Sequence, residues 1–297
     1  MSEKAKERRC GTIAIVGQPN VGKSTLLNYF VGTKLSITSK KAQTTRYQLV
    51  GIHSTEDTQF IFVDTPGYQL KYLNTMNRGL NKTVLQVLRE VDLVLFLIEP
   101  GPMDDIDEKI LSMISADIPI VLVINKVDLM KDKEKLLGLI RTFDKLERFE
   151  VIVPTSVKKK KNLIELLQSL KSFLPIQNFI YEVDEITDKN ERFLASEIIR
   201  EKVFRLTGQE LPYSVAIEIE KFEHEGGTRR IFAAIIVDRE SHKPMIIGKK
   251  GARLKEISMS SRLDMERLFG GKVWLETWVK VKKGWADDQR ALKSLGL

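Results

Sequence analysis

The sequence predicts an α/β fold, a doubly wound and mostly parallel sheet, followed by a smaller α+β domain. Three observations carry this. Across residues 11–175 short apolar runs alternate with helical stretches, the pattern of parallel strands joined by crossover helices. A glycine-rich turn, Gly17-Gln18-Pro19-Asn20-Val21-Gly22-Lys23-Ser24, separates the first apolar run from the first helical one. Beyond residue 190 the order becomes helix, strand, strand, helix, Gly-x-x-Gly, helix, strand. At 297 residues, two domains are expected. We place a tail at 1–10, the first domain at 11–175, a linker at 176–189 and the second domain, with a C-terminal helix, at 190–297.

Composition bounds the class. Apolar residues make up 42% and charged residues 30% of the chain, which fits a soluble protein with a sizeable core. No apolar run reaches the length of a membrane span. The charged start, Met1 to Arg9, does not read as a signal peptide. Cys10 is the single cysteine, so an internal disulfide framework and a cysteine-rich metal site are excluded. His53, His224 and His242 lack ligand spacing. A reducing cytoplasm is the expected location. The net charge of +8 suggests a polyanionic partner. Residues 226–297 hold 16 Lys and Arg against 8 Asp and Glu, which accounts for the whole excess.

In chain order, Thr12 to Val16 reads as a strand and Thr25 to Val31 as a helix. The turn between them matches G-x-x-x-x-G-K-[ST] in its required context. Gly17 and Gly22 let backbone N–H groups converge on phosphate, and the helix N-terminus adds to that field. Lys23 is placed to reach the outer phosphates, and Ser24 to ligate Mg²⁺. A long polar loop, 32–46, contains Gln43-Thr44-Thr45-Arg46. Strands Tyr47 to His53 and Gln59 to Val63 form a hairpin about Ser54 to Asp57. The second ends in Asp64-Thr65-Pro66-Gly67, where an Asp holds Mg²⁺ through water in such NTPases and Gly67 offers an N–H to a γ-phosphate. Helices are expected at 74–90, 106–115, to about Phe149, and 162–174, with strands at Val91 to Ile98, Pro119 to Ile124 and Glu150 to Pro154. Every motif follows a strand, the edge at which open α/β sheets bind ligands.

Asn125-Lys126-Val127-Asp128 narrows the nucleotide. An Asp carboxylate accepts from the guanine N1–H and amine, a donor pair adenine lacks, and an unmatched buried group discriminates strongly. Asn125 would contact the base edge and tie the base loop to the phosphate loop, with the Lys126 stem along the base plane. The domain is therefore expected to bind GTP and GDP.

With these residues in place, 11–175 resembles the translation-factor-class small GTPases. That resemblance implies catalytic roles for Lys23, Thr45, Asp64 and Gly67, and Thr45 rather than Thr44 as the switch threonine completing the Mg²⁺ shell with Ser24. Nucleotide contacts are implied for Gly17 through Ser24 (Gln18, Pro19, Asn20, Val21 and Gly22 among them), Thr25, Asp64, Thr65, Pro66, Gly67 and Tyr68. They are implied also for Asn125, Lys126, Val127, Asp128 and the Ser156-Val157 loop, where Val replaces the usual Ala. Tyr68 stands where many relatives carry a catalytic Gln, with Gln69 one step on. Slow intrinsic hydrolysis is expected, with Asn20 as a K⁺ ligand.

The second half opens with a linker, then a helix over 190–206 whose expected stripe is Phe193, Ile198 or Glu197, and Val203 to Leu206, closed by Gly208. Tyr213 to Phe222 alternates as a strand, and Arg229 to Val237 follows. Ile246-Ile247-Gly248-Lys249-Lys250-Gly251 sits between helical segments, with Arg253 and Lys255 just beyond. Two glycines permit close approach to a nucleic-acid backbone, as in the KH clamp on single-stranded RNA. We expect Ile247, Gly248, Lys249, Lys250, Gly251, Arg253 and Lys255 to bind RNA. In the strand 273–281, Val273, Leu275, Val279 and Val281 form a core face. Trp274 and Trp278 either stack on bases or, the reading favoured, pack with Trp285.

The pairing of this GTPase unit with a C-terminal type-2 KH domain resembles the bacterial Era-like GTPases over nearly the whole chain. The resemblance implies binding near the 3′ end of 16S ribosomal RNA, a role in assembly of the 30S subunit, and loose association with the inner membrane surface. No protein partner is derivable. Two alternatives stay open: a GTPase acting on the large subunit or tRNA, and an RNA-binding module with an inert nucleotide site.

Overall fold

The computed structural model describes residues 7–38, 45–68, 75–207 and 215–285. The chain forms two compact units, with the main break between Asp188 and Lys189.

The first unit contains β1 (Arg9–Gly17), α1 (Lys23–Val31), β2 (Leu49–Ser54), β3 (Thr58–Asp64), α2 (Thr75–Val87), β4 (Leu93–Ile98), α3 (Asp105–Leu111), β5 (Ile120–Ile124), α4 (Lys133–Asp144), β6 (Val151–Pro154) and α5 (Leu163–Leu170). Its six-stranded sheet runs β2-β3-β1-β4-β5-β6. Only β2 is antiparallel to its neighbour. The apolar runs explain the order. Every residue of β4 and β5 is buried, as continuous Val/Ile/Leu strands require when helices cover both faces. β1 pairs with β3 on one side and β4 on the other, so the Gly17 turn leaves the sheet where the winding reverses. On α1, Leu26, Leu27 and Phe30 are buried, and Phe30 stacks on Phe62 at 4.8 Å.

Several boundaries shift. β1 starts at Arg9, inside the expected tail. α4 ends at Asp144 rather than near Phe149, and α5 at Leu170 with a 3₁₀ turn at Lys171–Phe173. The segment expected to be a linker is laid against the sheet of the first unit. Gln59, fully buried, accepts from the N–H groups of Ile180 (2.9 Å) and Tyr181 (3.0 Å) and donates to the Tyr181 carbonyl at 2.8 Å. Further along, Ile52 N–H donates to Ile186 O at 2.9 Å and Thr187 Oγ1 to Val50 O at 2.6 Å. A stretch with no period of its own is thus held by hydrogen bonds to β2 and to the Gln59 side chain of β3, which its composition did not announce.

The second unit contains α6 (Glu191–Leu206), β7 (Val215–Glu225), β8 (Thr228–Val237), α7 (Lys243–Ile247), α8 (Ala252–Phe269) and β9 (Lys272–Val281). Its sheet runs β7-β8-β9, antiparallel then parallel, with a bulge between Ile219 and Lys221. Asn190 caps α6 through Phe193 N–H at 2.9 Å. The expected stripe on α6 is corrected: Phe193 and Leu206 are only partly buried, whereas Leu194, Ala195, Ile199 and the charged run Arg200, Glu201 and Lys202 are buried together. Arg200 is held there by Glu197, at 2.7 and 2.6 Å. A periodicity count scores such paired charges as solvent-facing. Gly208 and Tyr213 lie outside the described residues. The two tryptophans separate: Trp278 packs in a cluster with Trp285, whereas Trp274 is 41% exposed beneath the Arg230 guanidinium, 5.2 Å away.

Candidate functional sites

The phosphate loop is shaped by what packs around it. At Gly17 (φ 143°) a Cβ would fall 2.2 Å from the Leu97 carbonyl oxygen, and at Gly22 (φ 113°) 2.3 Å from Asn125 Nδ2, so neither tolerates a side chain. Asn20 adopts a left-handed φ of 68° at the exposed tip. Lys23 folds back across the loop, donating to Gly17 O (2.9 Å) and Gln18 O (2.8 Å). Burial lowers its pKa to about 8, against the opposing pull of Asp64.

Asp64, at the end of β3, is fully buried. Its Oδ2 accepts from Ser24 Oγ (2.8 Å), Ser36 Oγ (2.8 Å) and Thr45 Oγ1 (3.2 Å), and the Ser24 and Thr45 hydroxyls meet at 3.0 Å. Oδ1 is buried without a partner among the described residues. Burial raises the Asp64 pKa, while Lys23 and the three hydroxyls oppose the rise. A hard cation suits this set of oxygen donors, and the orphaned Oδ1 is the kind of group a hydrated Mg²⁺ would satisfy. Thr65 turns away, donating to Ile15 O at 2.9 Å. Gly67 lies against Pro19, where a Cβ would come within 3.0 Å. The Tyr68 ring packs onto the core of this unit. Gln43, Thr44 and Gln69 lie outside the described residues.

The base loop follows β5. Asn125 donates to Val21 O at 2.7 Å and accepts from Val157 N–H at 3.1 Å, which locks it to the phosphate loop and to the 155–157 loop at once. Ser156 Oγ donates to Asp128 at 2.5 Å and depresses its pKa, so the half-buried carboxylate stays ionised and oriented. Lys126 takes a left-handed φ of 66° and pairs with Glu99.

In the second unit the Gly-x-x-Gly turn joins α7 to α8. Gly248 has φ 73° and ψ 178°, a conformation nearly exclusive to glycine, and a Cβ there would meet Arg253 Cβ at 2.8 Å. Lys250 and Gly251 are left-handed. Lys249, Lys250 and Lys255 are exposed. Ile247, half-buried, packs on the core of this unit, and Arg253 donates to Met245 O.

Two family models match: a 50S ribosome-binding GTPase over residues 12–126 and a KH domain over 210–286. GTPase Era of Nitrosomonas eutropha is 50% identical over 288 residues, 97% of either chain. GTPase Era of Neisseria meningitidis is 50% identical over 293 residues, covering 97% of this chain and 95% of the relative. This chain belongs to the Era family of GTPases. The structure of an Aquifex aeolicus Era tyrosine-to-alanine variant bound to GDP·AlF4⁻ superposes with a TM-score of 0.93 at 39% identity, covering 97% and 99% of the two chains. An Era complex with MgGDPNP and nucleotides 1506–1542 of 16S ribosomal RNA matches with the same values. The chain is thus a GTPase with a P-loop domain and a C-terminal KH domain.

Some residues of the site carry no motif in the sequence. Ser36 reaches Asp64 from a loop that reads as featureless polar chain. Asn28, on the helix pattern of α1, holds that loop. Asp104 caps α3 and also takes the Gln18 amide at 2.7 Å, and Glu99 holds Lys126. An acidic residue just after a buried strand was the only available signal for Glu99.

Proposed function

We propose that this Era-family GTPase is a slow, GTP-driven switch that binds the 3′ region of 16S ribosomal RNA through its KH turn during assembly of the 30S subunit. What supports the reading above all is one chain pairing a guanine-type site with a solvent-facing Gly-x-x-Gly turn, at 39% identity to an Era solved with that RNA segment and MgGDPNP. In this reading Ser24, Thr45 and Asp64, the last through water, would hold Mg²⁺, which on binding neutralises charge between the outer phosphates. Lys23 leaves its two carbonyl partners for the phosphates, Gly67 offers its N–H to the γ-phosphate, and Asp128 with Asn125 selects guanine. Tyr68, an aromatic ring packed on the core, supplies no amide to orient water, and slow turnover follows. Asn20 would ligate K⁺; faster hydrolysis in K⁺ than in Na⁺ at matched ionic strength checks this.

Lys249 and Lys250 meet the RNA backbone, and γ-phosphate contacts at Thr45 and Gly67 couple nucleotide state to RNA affinity. Any contact with the inner membrane surface is peripheral, since among the described residues no helix is long and apolar enough to cross a membrane. The deciding experiment is crosslinking to a 16S 3′-end RNA with GDP and with a non-hydrolysable GTP analogue. Stronger capture in the analogue state is expected, and equal capture removes the coupling.

A further inference from the structure

We infer that Ser36 is a positioning residue for Asp64, and through it for the divalent cation; this rests on the Mg²⁺ reading of Ser24, Thr45 and Asp64 above. Ser36 lies on the loop after α1, outside every phosphate and base motif. It is 5% exposed, and its Oγ donates to Asp64 Oδ2 at 2.8 Å.

Its place is fixed by α1 rather than by the loop. The Asn28 carboxamide accepts from the backbone N–H groups of Leu35 (2.9 Å) and Ser36 (2.8 Å) and donates to the Ser36 carbonyl at 2.8 Å. Asn28 lies on the same helix whose first turn carries Lys23 and Ser24. One helix therefore sets both the phosphate-side groups and, through Asn28, the hydroxyl that orients the carboxylate.

The three hydroxyls on Asp64 Oδ2 are not equivalent. Ser24 and Thr45 would turn lone pairs to the cation, and Thr45 belongs to the switch. Ser36 has no such second task and remains on Asp64 when the other two reorganise. Without it, a buried carboxylate whose Oδ1 already lacks a partner loses its one donor anchored independently of the cation. Removing such an outer partner of a metal site lowers metal affinity by about 10- to 100-fold.

The test uses the full-length protein loaded with a fluorescent GDP, its release rate followed from EDTA to millimolar Mg²⁺. Ser36→Ala is expected to raise the half-effective Mg²⁺ concentration about tenfold and to leave release in EDTA unchanged. Ser36→Thr restores the hydroxyl and the wild-type midpoint. Asn28→Ala, which keeps the hydroxyl but frees the loop, shifts the midpoint in the same direction as Ser36→Ala. An unmoved midpoint in Ser36→Ala, or release accelerated equally with and without Mg²⁺, overturns the inference while leaving the metal site standing. A wild-type release rate indifferent to Mg²⁺ overturns the metal-site reading and the inference with it.

Discussion

At Lys23, burial and nucleotide binding act on the same proton. Enclosure by the phosphate loop lowers its pKa from 10.5 to about 8, because its two carbonyl partners and one nearby carboxylate do not fully replace water. Unfolded, the ammonium keeps its ordinary pKa, so between pH 8 and 10.5 the unfolded chain binds more protons. The cost of burying this charge is therefore full below pH 8 and is relieved as pH rises through that window. Nucleotide binding has the opposite sign. Phosphates bind the protonated form, so affinity for GDP should fall as pH rises above 8, approaching about tenfold per pH unit. Calorimetry at pH 8.5 in buffers of different ionisation enthalpy should show proton uptake on binding, and pH-independent affinity from 7 to 9 would refute it. The position of Lys23 was legible from its motif. Its proton was not, because the burial that lowers its pKa and the Asp64 charge that opposes it are set by the fold and not by the motif.

Among the elements, the segment after α5 shows where pattern reading stops. Strands β4 and β5 announce themselves as unbroken apolar runs, since a strand covered on both faces has no polar side. Residues 176–188 have no such run, and at Ile180 and Tyr181 their order comes from one amide. Gln59 precedes the apolar run Phe60 to Val63 of β3, and its two N–H acceptances and one donation hold Ile180 and Tyr181. A lone Gln in a buried strand was the available sign, and it demands partners that sequence cannot name. Gln59→Leu keeps the volume and strands those backbone groups, costing about 2–3 kcal/mol. For a unit of this size that lowers Tm by several degrees. Hydrogen exchange should speed up at Ile180 and Tyr181 and spare β4 and β5; unchanged exchange at those two amides would show that Gln59 is not what holds them. The same rule explains α6, whose buried charges Arg200, Glu201 and Lys202 blur an amphipathic reading that β7, with Val215, Ile217 and Ile219 on one side, presents clearly.

For the whole molecule the charge distribution carries the argument. The excess of +8 lies entirely in residues 226–297, and the structure pairs part of it with carboxylates from outside that segment. Arg229 pairs with Glu191 at 2.7 Å, Arg230 with Glu225 at 2.5 Å and Lys280 with Glu220 at 2.5 Å. Arg253 is turned onto a backbone carbonyl. Lys249 and Lys250 stay exposed on the turn, where Gly248 and Gly251 keep the backbone bare for close approach. Binding of single-stranded RNA should then depend on salt chiefly through this turn. Counterion release from a single strand contributes a slope of about −0.7 in log affinity against log salt for each phosphate neutralised. Replacing both lysines by Ala should make the slope shallower by about 1.4, while replacing the paired Arg230 should leave it nearly unchanged. Affinity of a 16S 3′-end oligonucleotide, measured by fluorescence anisotropy from 50 to 300 mM salt, checks both. If the slope follows Arg230 instead, the phosphates lie across the outer sheet face beside Trp274 and not on the Gly-x-x-Gly turn.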